Sequence, residues 1–433
     1  MQKTWMFVTL SVLCAMPLVA QQTTNPSSAS GQDTAALEQR LKDMEERIIT
    51  LEGQVRMLKS AQATAPPAPA AAGPETPPAP DGAQSAQGAA LAQGPVTLGG
   101  AGGAAAKALN PDISVIGDFI GAAGGNSARP MATLQPFPSL QMHESEIGMQ
   151  AIIDPYARGD FFFSFGEQGV TLEEGYITFT ALPGGFVAKA GKMRSAFGKV
   201  NGMHNHVLPW VDRPLVTTNL VGGEDGIDDA GVSVQRILPA PKGIFLEATG
   251  QVFRGDVPGV YKNWQNSDVS TVDHLRAYKD ISESTNLDLG VSYSRGYNEA
   301  GPNLITNLYG IDATLRWKPL RRSIYHSFVT RSEFIWSQRQ QLPLEQRAFG
   351  FYTSGEYQFA RRWFLGGRFD RSGRSQFANL TDTGGSVVLT YWPSEFSQIR
   401  GQYERTNYAE GNTANQLLMQ LIFSLGAHGA HPF

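Results

Sequence analysis

Cysteine is nearly absent from this sequence, since Cys14 is the only one among 433 residues. A chain with one thiol has no internal disulfide and no cysteine cluster that could hold zinc. Charged residues are also sparse, at 17% of the chain, and the net charge of −4 offers no basic surface for nucleic acid. After the first twenty residues, no apolar run reaches about eighteen residues, so the sequence predicts no transmembrane helix. These absences exclude thiolate chemistry and a helical membrane anchor, and they argue against a nucleic-acid partner.

The first twenty residues have the pattern of a secretion signal. Lys3 precedes a short apolar run from Trp5 to Val19, and the small residue Ala20 precedes a plausible cleavage point. The alternative is a buried or membrane helix, but the run is too short to cross a bilayer. We therefore expect a signal peptide over residues 1–20, and a mature exported chain that contains no cysteine.

Residues 34–60 carry a heptad repeat with an apolar seam. The seam residues are Leu37, Leu41, Met44, Ile48, Leu51, Val55 and Leu58. The remaining positions are mostly polar or charged, which argues against the alternative of one amphipathic helix packed on a domain. Arg at g is followed by Glu at the next e in the pairs Arg40–Glu45 and Arg47–Glu52, and this pattern resembles short trimeric coiled coils. The β-branched residues at a favour a dimer instead. We expect a trimeric coiled coil.

Residues 61–109 consist mainly of Ala, Pro and Gly, as in "ATAPPAPAAAGPETPPAP". Such a composition cannot bury a core, so we predict a linker. The glycine run lacks the preceding strand and the Lys-Ser/Thr pair of a phosphate-binding loop, so no nucleotide site is expected there. The folded domain is therefore predicted over residues 110–433.

Apolar and polar residues alternate with a period of two through that domain. In "GDFFFSFGEQ" the residues Phe161, Phe163 and Phe165 share one face, and similar segments recur about every twenty residues. Short connections are expected at 154–159, 182–185, 238–243, 318–323, 360–362 and 393–395. Longer connections are expected around 121–140, 195–228, 254–272, 295–306, 338–345, 372–384 and 406–415. Outer-membrane barrels alternate short turns and long loops in this way. With a weak strand at 273–280 included, the pattern predicts an all-β transmembrane barrel of about 16 antiparallel strands.

Aromatic residues mark the predicted ends of the barrel. Trp317, Trp363 and Trp392 adjoin short turns, where an interfacial girdle is expected, although scattered surface or core tryptophans are the alternative. Phe433 continues the outward register of the last strand. A terminal aromatic in that register resembles the assembly signal of outer-membrane barrels, and the alternative is a frayed tail.

Two stretches, "EEGYITFTALPGGFVAKAGKMRSAFGKVNGMHNHVLPWVDRPL" and "GIDDAGVSVQ", resemble the phosphate-selective-type porin family. The resemblance implies a trimeric pore narrowed by an inward loop at 195–228. Facing acids and bases in such a loop would sort solutes by charge and size. The candidate constriction residues are Lys199, Asp212, Arg213, Glu224, Asp225, Asp228 and Asp229. The alternatives are a solvated external loop, or a hard-cation site that lacks the spacing of a calcium loop.

Every second side chain of a barrel strand points into the lumen, and this strand parity assigns a set of charged residues to the lumen wall. The main candidates are Glu144, Glu146, Glu174, Lys189, Asp312, Arg316, Arg331, Glu333, Arg368 and Arg400. Counted over all strands, the inward positions hold eleven acids and five or six bases. The other acids are Asp118, Glu247, Asp288, Glu356, Asp370 and Glu404, and the uncertain base is Arg276. This excess predicts a neutral or mildly cation-preferring lumen.

Candidate metal and catalytic residues are few. The pairs His204–His206 and His428–His431 each lack a third ligand at recognisable spacing, so they are weak metal candidates, and no metal or cofactor is predicted. No Gly-x-Ser-x-Gly elbow is present, and no Ser/His/Asp set is evident in the sequence. The sequence therefore predicts a protein that is not an enzyme.

Together these features predict a porin in the outer membrane of a Gram-negative-type bacterium, with its coiled coil in the periplasm. Small hydrophilic solutes would diffuse passively through a homotrimer. The expected partners are outer-membrane lipids, the barrel-assembly machinery and, through the stalk, peptidoglycan. Two alternatives stay open at this point: a structural barrel that anchors a periplasmic stalk, and a specific anion or metal uptake channel.

Overall fold

A computed structural model describes residues 111–124, 139–166 and 169–426 of the chain. The predicted signal peptide, coiled coil and linker lie outside these residues. So do Phe433, His428 and His431, and their roles stay predictions. Within the described ranges, no helix has the length and the apolar character needed to cross a membrane.

The described residues are built almost entirely of antiparallel strands. The strands are β1 (Asp112–Ala123), β2 (Leu140–Met142), β3 (Ser145–Asp154), β4 (Ala157–Gly166), β5 (Gly169–Leu182), β6 (Phe186–Arg194), β7 (Asp228–Leu238), β8 (Ile244–Phe253), β9 (Ser270–Ser282), β10 (Thr285–Asn298), β11 (Gly301–Trp317), β12 (Ser327–Gln341), β13 (Leu344–Ala360), β14 (Trp363–Gly373), β15 (Thr381–Ser394), β16 (Ser397–Asn407) and β17 (Thr413–Gly426).

These strands form one closed barrel. Each strand pairs with its sequence neighbour, and β17 pairs with β1, so that the sheet has no free edge. The segments β2 and β3 both pair with β1 and are separated only by His143 and Glu144, so they act as one interrupted strand. The barrel therefore has sixteen strands, which confirms the predicted fold class, and the weak strand expected at 273–280 is part of β9.

The connections at one end of the barrel depart from the prediction. Long loops were expected around 295–306 and 338–345, but β10 and β11 are joined by two residues, and so are β12 and β13. The prediction was wrong because the outward residues of these strand ends are polar, as at Arg295 and Arg347, and the apolar alternation stops before the strands do. A hairpin that continues beyond an apolar band keeps its backbone pairing but loses the hydrophobic signal.

Side-chain burial follows the alternation along each strand. In β17, Leu417, Met419 and Leu425 are exposed on the outer face, while Leu418 and Gln420 between them are buried. The predicted tryptophans lie at the short-turn end: Trp317 ends β11, Trp363 begins β14, and Trp392 lies near the end of β15. The outer wall is thus apolar and the inner wall polar, as expected for a barrel with lipid outside and a hydrophilic lumen.

The segment between β6 and β7, residues 195–227, lies inside the barrel. It contains a 3-10 turn (Asn205–Val207) and the helix α1 (Leu215–Leu220). Apolar loop residues form one buried cluster with residues of the inner wall. The loop contributes Phe197, Val200, Leu208, Trp210, Val216 and Leu220, and the wall contributes Leu308, Ile335, Ala348, Tyr352 and Val388. We call this segment, together with Asp228 at the start of β7, the inward loop.

Candidate functional site

The two ends of the inward loop are tied together at the barrel wall. The Asn201 side-chain amide donates to the backbone oxygens of Ser195 (3.0 Å) and Ile227 (3.1 Å), and its Oδ1 accepts from the Ile227 N–H at 2.8 Å. Gly226 next to it has φ +68°, and a Cβ there would lie 2.1 Å from Asn201 Oδ1. The close approach therefore requires glycine, and it fixes where the chain enters and leaves the lumen.

Arg213 stabilises the inward loop through hydrogen bonds to other residues of the loop. Its guanidinium donates to Asn205 Oδ1 at 2.9 Å and to the backbone oxygens of Val200 (3.1 Å) and Met203 (2.6 Å). Burial, reinforced by Arg194 nearby, lowers the pKa of Arg213 to about 10. The predicted constriction residue Arg213 thus has its donors directed at the loop itself.

One anchor of the loop lies on β10 and β12. The backbone N–H groups of Lys199 and Val200 donate to Glu333 Oε1, the second at 2.7 Å, and the Gly198 N–H donates to Ser292 Oγ at 2.9 Å. Lys199 Nζ lies 3.0 Å from Asp288 Oδ2. Burial lowers the pKa of Lys199, although the carboxylate of Asp288 opposes the shift. Lys199 is therefore held against the wall as the partner of a buried carboxylate.

A second anchor joins the loop to β3 and β5 through His204. The Nδ1 atom lies 2.6 Å from Glu146 Oε2 and 3.4 Å from Glu173 Oε1, and Nε2 lies 2.8 Å from Glu174 Oε1. Burial alone would lower the pKa of His204, but the carboxylates of Glu146 and Glu173 raise it well above its ordinary value. Because both ring nitrogens face carboxylates, both act as donors, and the ring is an imidazolium.

Glu173 is a member of this anchor that sequence parity missed. Strict alternation places Glu173 on the outer face and Glu174 in the lumen, but both are buried, at 5% exposure each. The register between β4 and β5 shifts between Phe162 and Phe163, so Glu173 is the extra residue of a β-bulge. Its inward side chain pairs with Arg194 at the end of β6. The adjacent "EE" was the only sequence signal for a second inward carboxylate.

A third anchor lies on β14 and β16. Arg368 bridges two carboxylates, with Asp212 Oδ2 of the loop at 2.6 Å and Asp370 Oδ2 of its own strand at 2.6 Å. Asp370 also accepts the Leu215 N–H at the start of α1, at 3.2 Å. From β16, Arg400 donates to the Trp210 backbone oxygen at 3.1 Å. Three wall residues that parity placed in the lumen, Arg368, Asp370 and Arg400, therefore hold the loop.

The remaining constriction candidates lie where the loop returns to the wall. Glu224 is partly exposed and Asp225 is exposed. Burial, with Asp225 adding repulsion, raises the pKa of Glu224 to about 7. Asp228 pairs with Lys192 at 2.6 Å, and Asp229 accepts backbone N–H groups of the next loop. Of the seven candidates, Glu224 and Asp225 are therefore the acids of the inward loop whose side chains stay at least partly accessible.

Two groups of side chains in this region have donor atoms close enough to share a metal ion. They are His143, Glu144 and Glu224, and Glu146, Glu173 and His204, each group with its donor atoms within 4.8 Å of one another. In the second group, both His204 ring nitrogens lie against carboxylates, so a metal ion there would have to displace a ring proton. His206 lies 3.8 Å from Glu146 and is not a member of either group. In this structure His204 of the predicted His204–His206 pair forms an ionic anchor with the wall.

The charged wall residues divide into buried acids and accessible bases. Nine of the eleven acids assigned to the lumen are buried, and the exceptions are Glu144 and Glu356. Among the bases, Arg368 and Arg400 are buried, whereas Lys189, Arg276, Arg316 and Arg331 keep part of their surface exposed. Burial removes a charge from contact with ions in the lumen, so the count of acids overstates the negative character of the accessible wall.

The accessible bases on one wall form a cluster beside the first anchor. Arg276 binds Asp288 through two hydrogen bonds of 2.9 Å, and Arg316 Nη1 lies 3.9 Å from the same carboxylate. Arg331 lies on β12, the next strand after β11, which carries Arg316. On the opposite wall, Lys189 lies over the Tyr176 ring at 4.5 Å. This part of the lumen is therefore lined by guanidinium and ammonium groups.

The chain is 28% identical to an uncharacterised protein of Aquifex aeolicus (strain VF5), over 76% of this chain and 81% of that relative. No family model matches the sequence. Among solved structures, the chain is similar to the anion-selective porin of Comamonas acidovorans, with a TM-score of 0.51 and 8% identity over 73% of this chain and 99% of the porin. It is also similar to OprB of Pseudomonas putida, with a TM-score of 0.51 and 10% identity over 73% of this chain and 94% of that structure. These likenesses establish that the chain has the porin-type β-barrel fold.

Proposed function

We propose that this protein is an outer-membrane porin through which small hydrophilic solutes diffuse passively, and that the inward loop constricts its pore. The observation that carries the proposal is that the loop is attached to the wall by buried ion pairs, while basic wall residues beside it keep part of their surface accessible. A barrel of sixteen strands is wide enough to leave an aqueous channel. A wall that only enclosed a packed core would have no reason to present exposed arginines inward.

We further propose that the pore prefers anions. The carboxylates of the wall are mostly engaged in holding the loop, as with Glu333 and Asp370, and they are not accessible to ions. Arg276 and Arg316 share one paired acid, Asp288, and Arg331 lies on the neighbouring strand β12. A net positive field along the path lowers the energy of an anion and raises that of a cation. This preference replaces the mild cation selectivity that the residue count predicts.

The assembly and the location of the protein belong to the same proposal. The barrel would lie in the outer membrane of a Gram-negative-type bacterium as a homotrimer. The predicted coiled coil over residues 34–60 would clamp the trimer in the periplasm or tether it to peptidoglycan. The apolar outer wall and the closed sheet support the membrane location, because only closed barrels and helices satisfy every backbone hydrogen bond within lipid.

One observation favours a second candidate function. The inward loop buries an apolar cluster around Trp210, Val216 and Tyr352 inside the lumen. A loop that sealed the lumen in this way would suit a structural barrel that anchors the periplasmic stalk. The two candidates differ in a single measurable property, which is the passage of ions.

Single-channel recording in a planar bilayer under a salt gradient tests both candidates. We expect stepwise currents and a reversal potential whose sign indicates anion preference. The variant Arg316→Gln/Arg331→Gln should shift the reversal potential towards zero, because it removes two accessible charges. The control Arg236→Gln should leave it unchanged, since Arg236 lies on the outer face over the Phe186 ring. A folded protein without current would refute the porin and favour the anchor, and a cation-selective current would refute the anion preference.

A further inference from the structure

The outer wall carries an ordered row of arginines at the end of the barrel opposite the short turns. In β13, β14 and β16, the outward residue next to the last outward aromatic is an exposed arginine. The pairs are Phe349–Arg347, Phe369–Arg371 and Tyr403–Arg405. In each pair the arginine lies two residues further from the short turns than the aromatic ring. The same order in three strands places positive charge directly beyond an aromatic band.

Two of these arginines flank a gap between side chains on the outer face of the wall, at Gly385. Arg371 on β14 is in register with Thr383 on β15, and Arg405 on β16 is in register with Gly385 on β15. Their strands are two apart in the sheet, which separates the backbones by about 10 Å. Gly385 has no side chain, and a Cβ there would meet one backbone oxygen, at 3.7 Å. Both long side chains can therefore reach over the small residues between them towards one ligand.

The charge of this pair is not neutralised within the described part of the chain. Neither Arg371 nor Arg405 forms an ion pair with any residue that the structure describes, whereas Arg347 is paired with Glu345 at 2.5 Å. The nearby carboxylates Asp382 and Glu410 are bound by Arg374. Two exposed guanidinium groups on a lipid-facing wall favour an anionic partner that lies in the membrane itself.

Apolar groups adjoin the pair on the side of the short turns. Phe369, Val387 and Tyr403 are exposed on the outer face, at 44%, 56% and 50%. A ligand that contacts both regions must have hydrocarbon chains that lie along the aromatic and aliphatic residues, and an anionic headgroup at the arginines. A guanidinium binds a carboxylate or a phosphate with two parallel hydrogen bonds. A phosphate group carries up to two negative charges and three acceptor oxygens, so it can bind both arginines at once, which makes it a better match than an isolated carboxylate.

We propose that the outer face formed by Arg371, Thr383, Gly385 and Arg405 binds the phosphorylated headgroup of an acylated glycolipid in the adjoining leaflet. The inference rests on the proposed membrane location, but it does not depend on the passage of ions through the pore. The lipid would cover the gap at Gly385 and bring its phosphate between the two arginines.

The test uses the full mature chain in detergent and native mass spectrometry with bisphosphorylated lipid A as the probe. We expect saturable binding to the wild type and binding about 30-fold weaker to Arg371→Gln/Arg405→Gln, since two interfacial charges are removed. The matched control is Arg321→Gln/Arg322→Gln, which removes two exposed arginines at the opposite end of the barrel and should bind like the wild type. Dephosphorylated lipid A should bind as weakly to the wild type as lipid A binds to the first variant.

The proposal is overturned if both forms of lipid A bind the wild type equally, or if Arg371→Gln/Arg405→Gln keeps the wild-type affinity. Equal losses of lipid A affinity in this variant and in Arg321→Gln/Arg322→Gln would show general charge attraction without a specific site, and would also overturn the proposal. A changed number of chains with unchanged lipid affinity would assign this face to contact between copies of the protein. Retained β-sheet circular dichroism shows that each variant is folded. Single-channel current reports the porin proposal separately, because these residues lie outside the lumen.

Discussion

The substitution His204→Leu tests whether ionic anchors hold the inward loop in the lumen. Leucine fills a similar volume, but it leaves Glu146 and Glu174 buried without the imidazolium that faces both. Glu173 keeps Arg194 as a partner. Removing one partner from a buried ion pair costs about 3–5 kcal/mol, because the remaining charge stays desolvated. At 1.4 kcal/mol for each factor of ten, the population of undocked loop should rise by a factor of about 100 to 4,000.

Cysteine labelling measures that population directly, because the sequence has no cysteine other than Cys14. Val216→Cys places a thiol at a fully buried position of α1, close to Gly350 on β13. We expect a charged maleimide to label this thiol slowly in the wild-type background and at least 100-fold faster with His204→Leu. His326→Leu is the control, since His326 lies between β11 and β12, at the short-turn end. If His204→Leu leaves the labelling rate unchanged, the ionic anchors do not hold the loop and the reasoning fails.

Three further predictions concern the same loop and the predicted stalk. Because the folded pKa of His204 is raised, its contribution is fully present below pH about 6.5 and is lost as the pH rises through that raised value. The near-ultraviolet circular dichroism of the Trp210–Tyr352 contact should therefore weaken in alkaline solution in the wild type but not in His204→Leu, and the same alkaline response in both would contradict this. Arg368→Met should raise the labelling rate of Val216→Cys as His204→Leu does, because it leaves Asp212 buried without its partner. Asp212→Asn added to Arg368→Met should lower that rate again in part, since it removes the unpaired charge. A still faster labelling in the double variant would argue against the Arg368–Asp212 ion pair as an anchor. Deletion of residues 34–60 should leave a folded barrel with a less stable trimer in detergent gels, and loss of barrel assembly would refute the proposed clamp.

The barrel was predictable from the sequence because its signal repeats. Alternation in β10 and β13 marks the outer face residue by residue, and the weak pattern of β9 is identified by the need for an even number of strands. The error at 295–306 and 338–345 has the same origin. Hydrophobic alternation reports contact with an apolar layer and not strand pairing itself, so it ends where a hairpin continues beyond that layer.

The site was predictable only in part. Parity placed Glu146, Glu174, Glu333 and Arg368 on the inner wall, but it could not show that the loop would bind them. Glu173 was missed because a single β-bulge reverses the parity of one residue. The seven charged candidates of the loop were interpreted as facing a pore. In the structure Lys199 and Asp212 face wall residues instead, since burial of the loop requires each of its charges to have a partner.

The position of the three anchors explains how the loop is held across the lumen although it forms no part of the sheet. His204 attaches to β3 and β5, Lys199 to β10 and β12, and Asp212 to β14, so that the loop is held by the wall on three sides. The wall itself is closed by backbone pairing around all its strands, to which the loop contributes nothing. Breaking one anchor should therefore release part of the loop and leave the barrel intact. The carboxylates freed in this way, such as Glu146 and Glu174, would become accessible to ions, so the anion preference should weaken as the constriction opens. Arg316→Gln/Arg331→Gln should instead change the preference while the loop stays docked, because the ion pair of Arg316 is made with Asp288 of the wall and not with the loop.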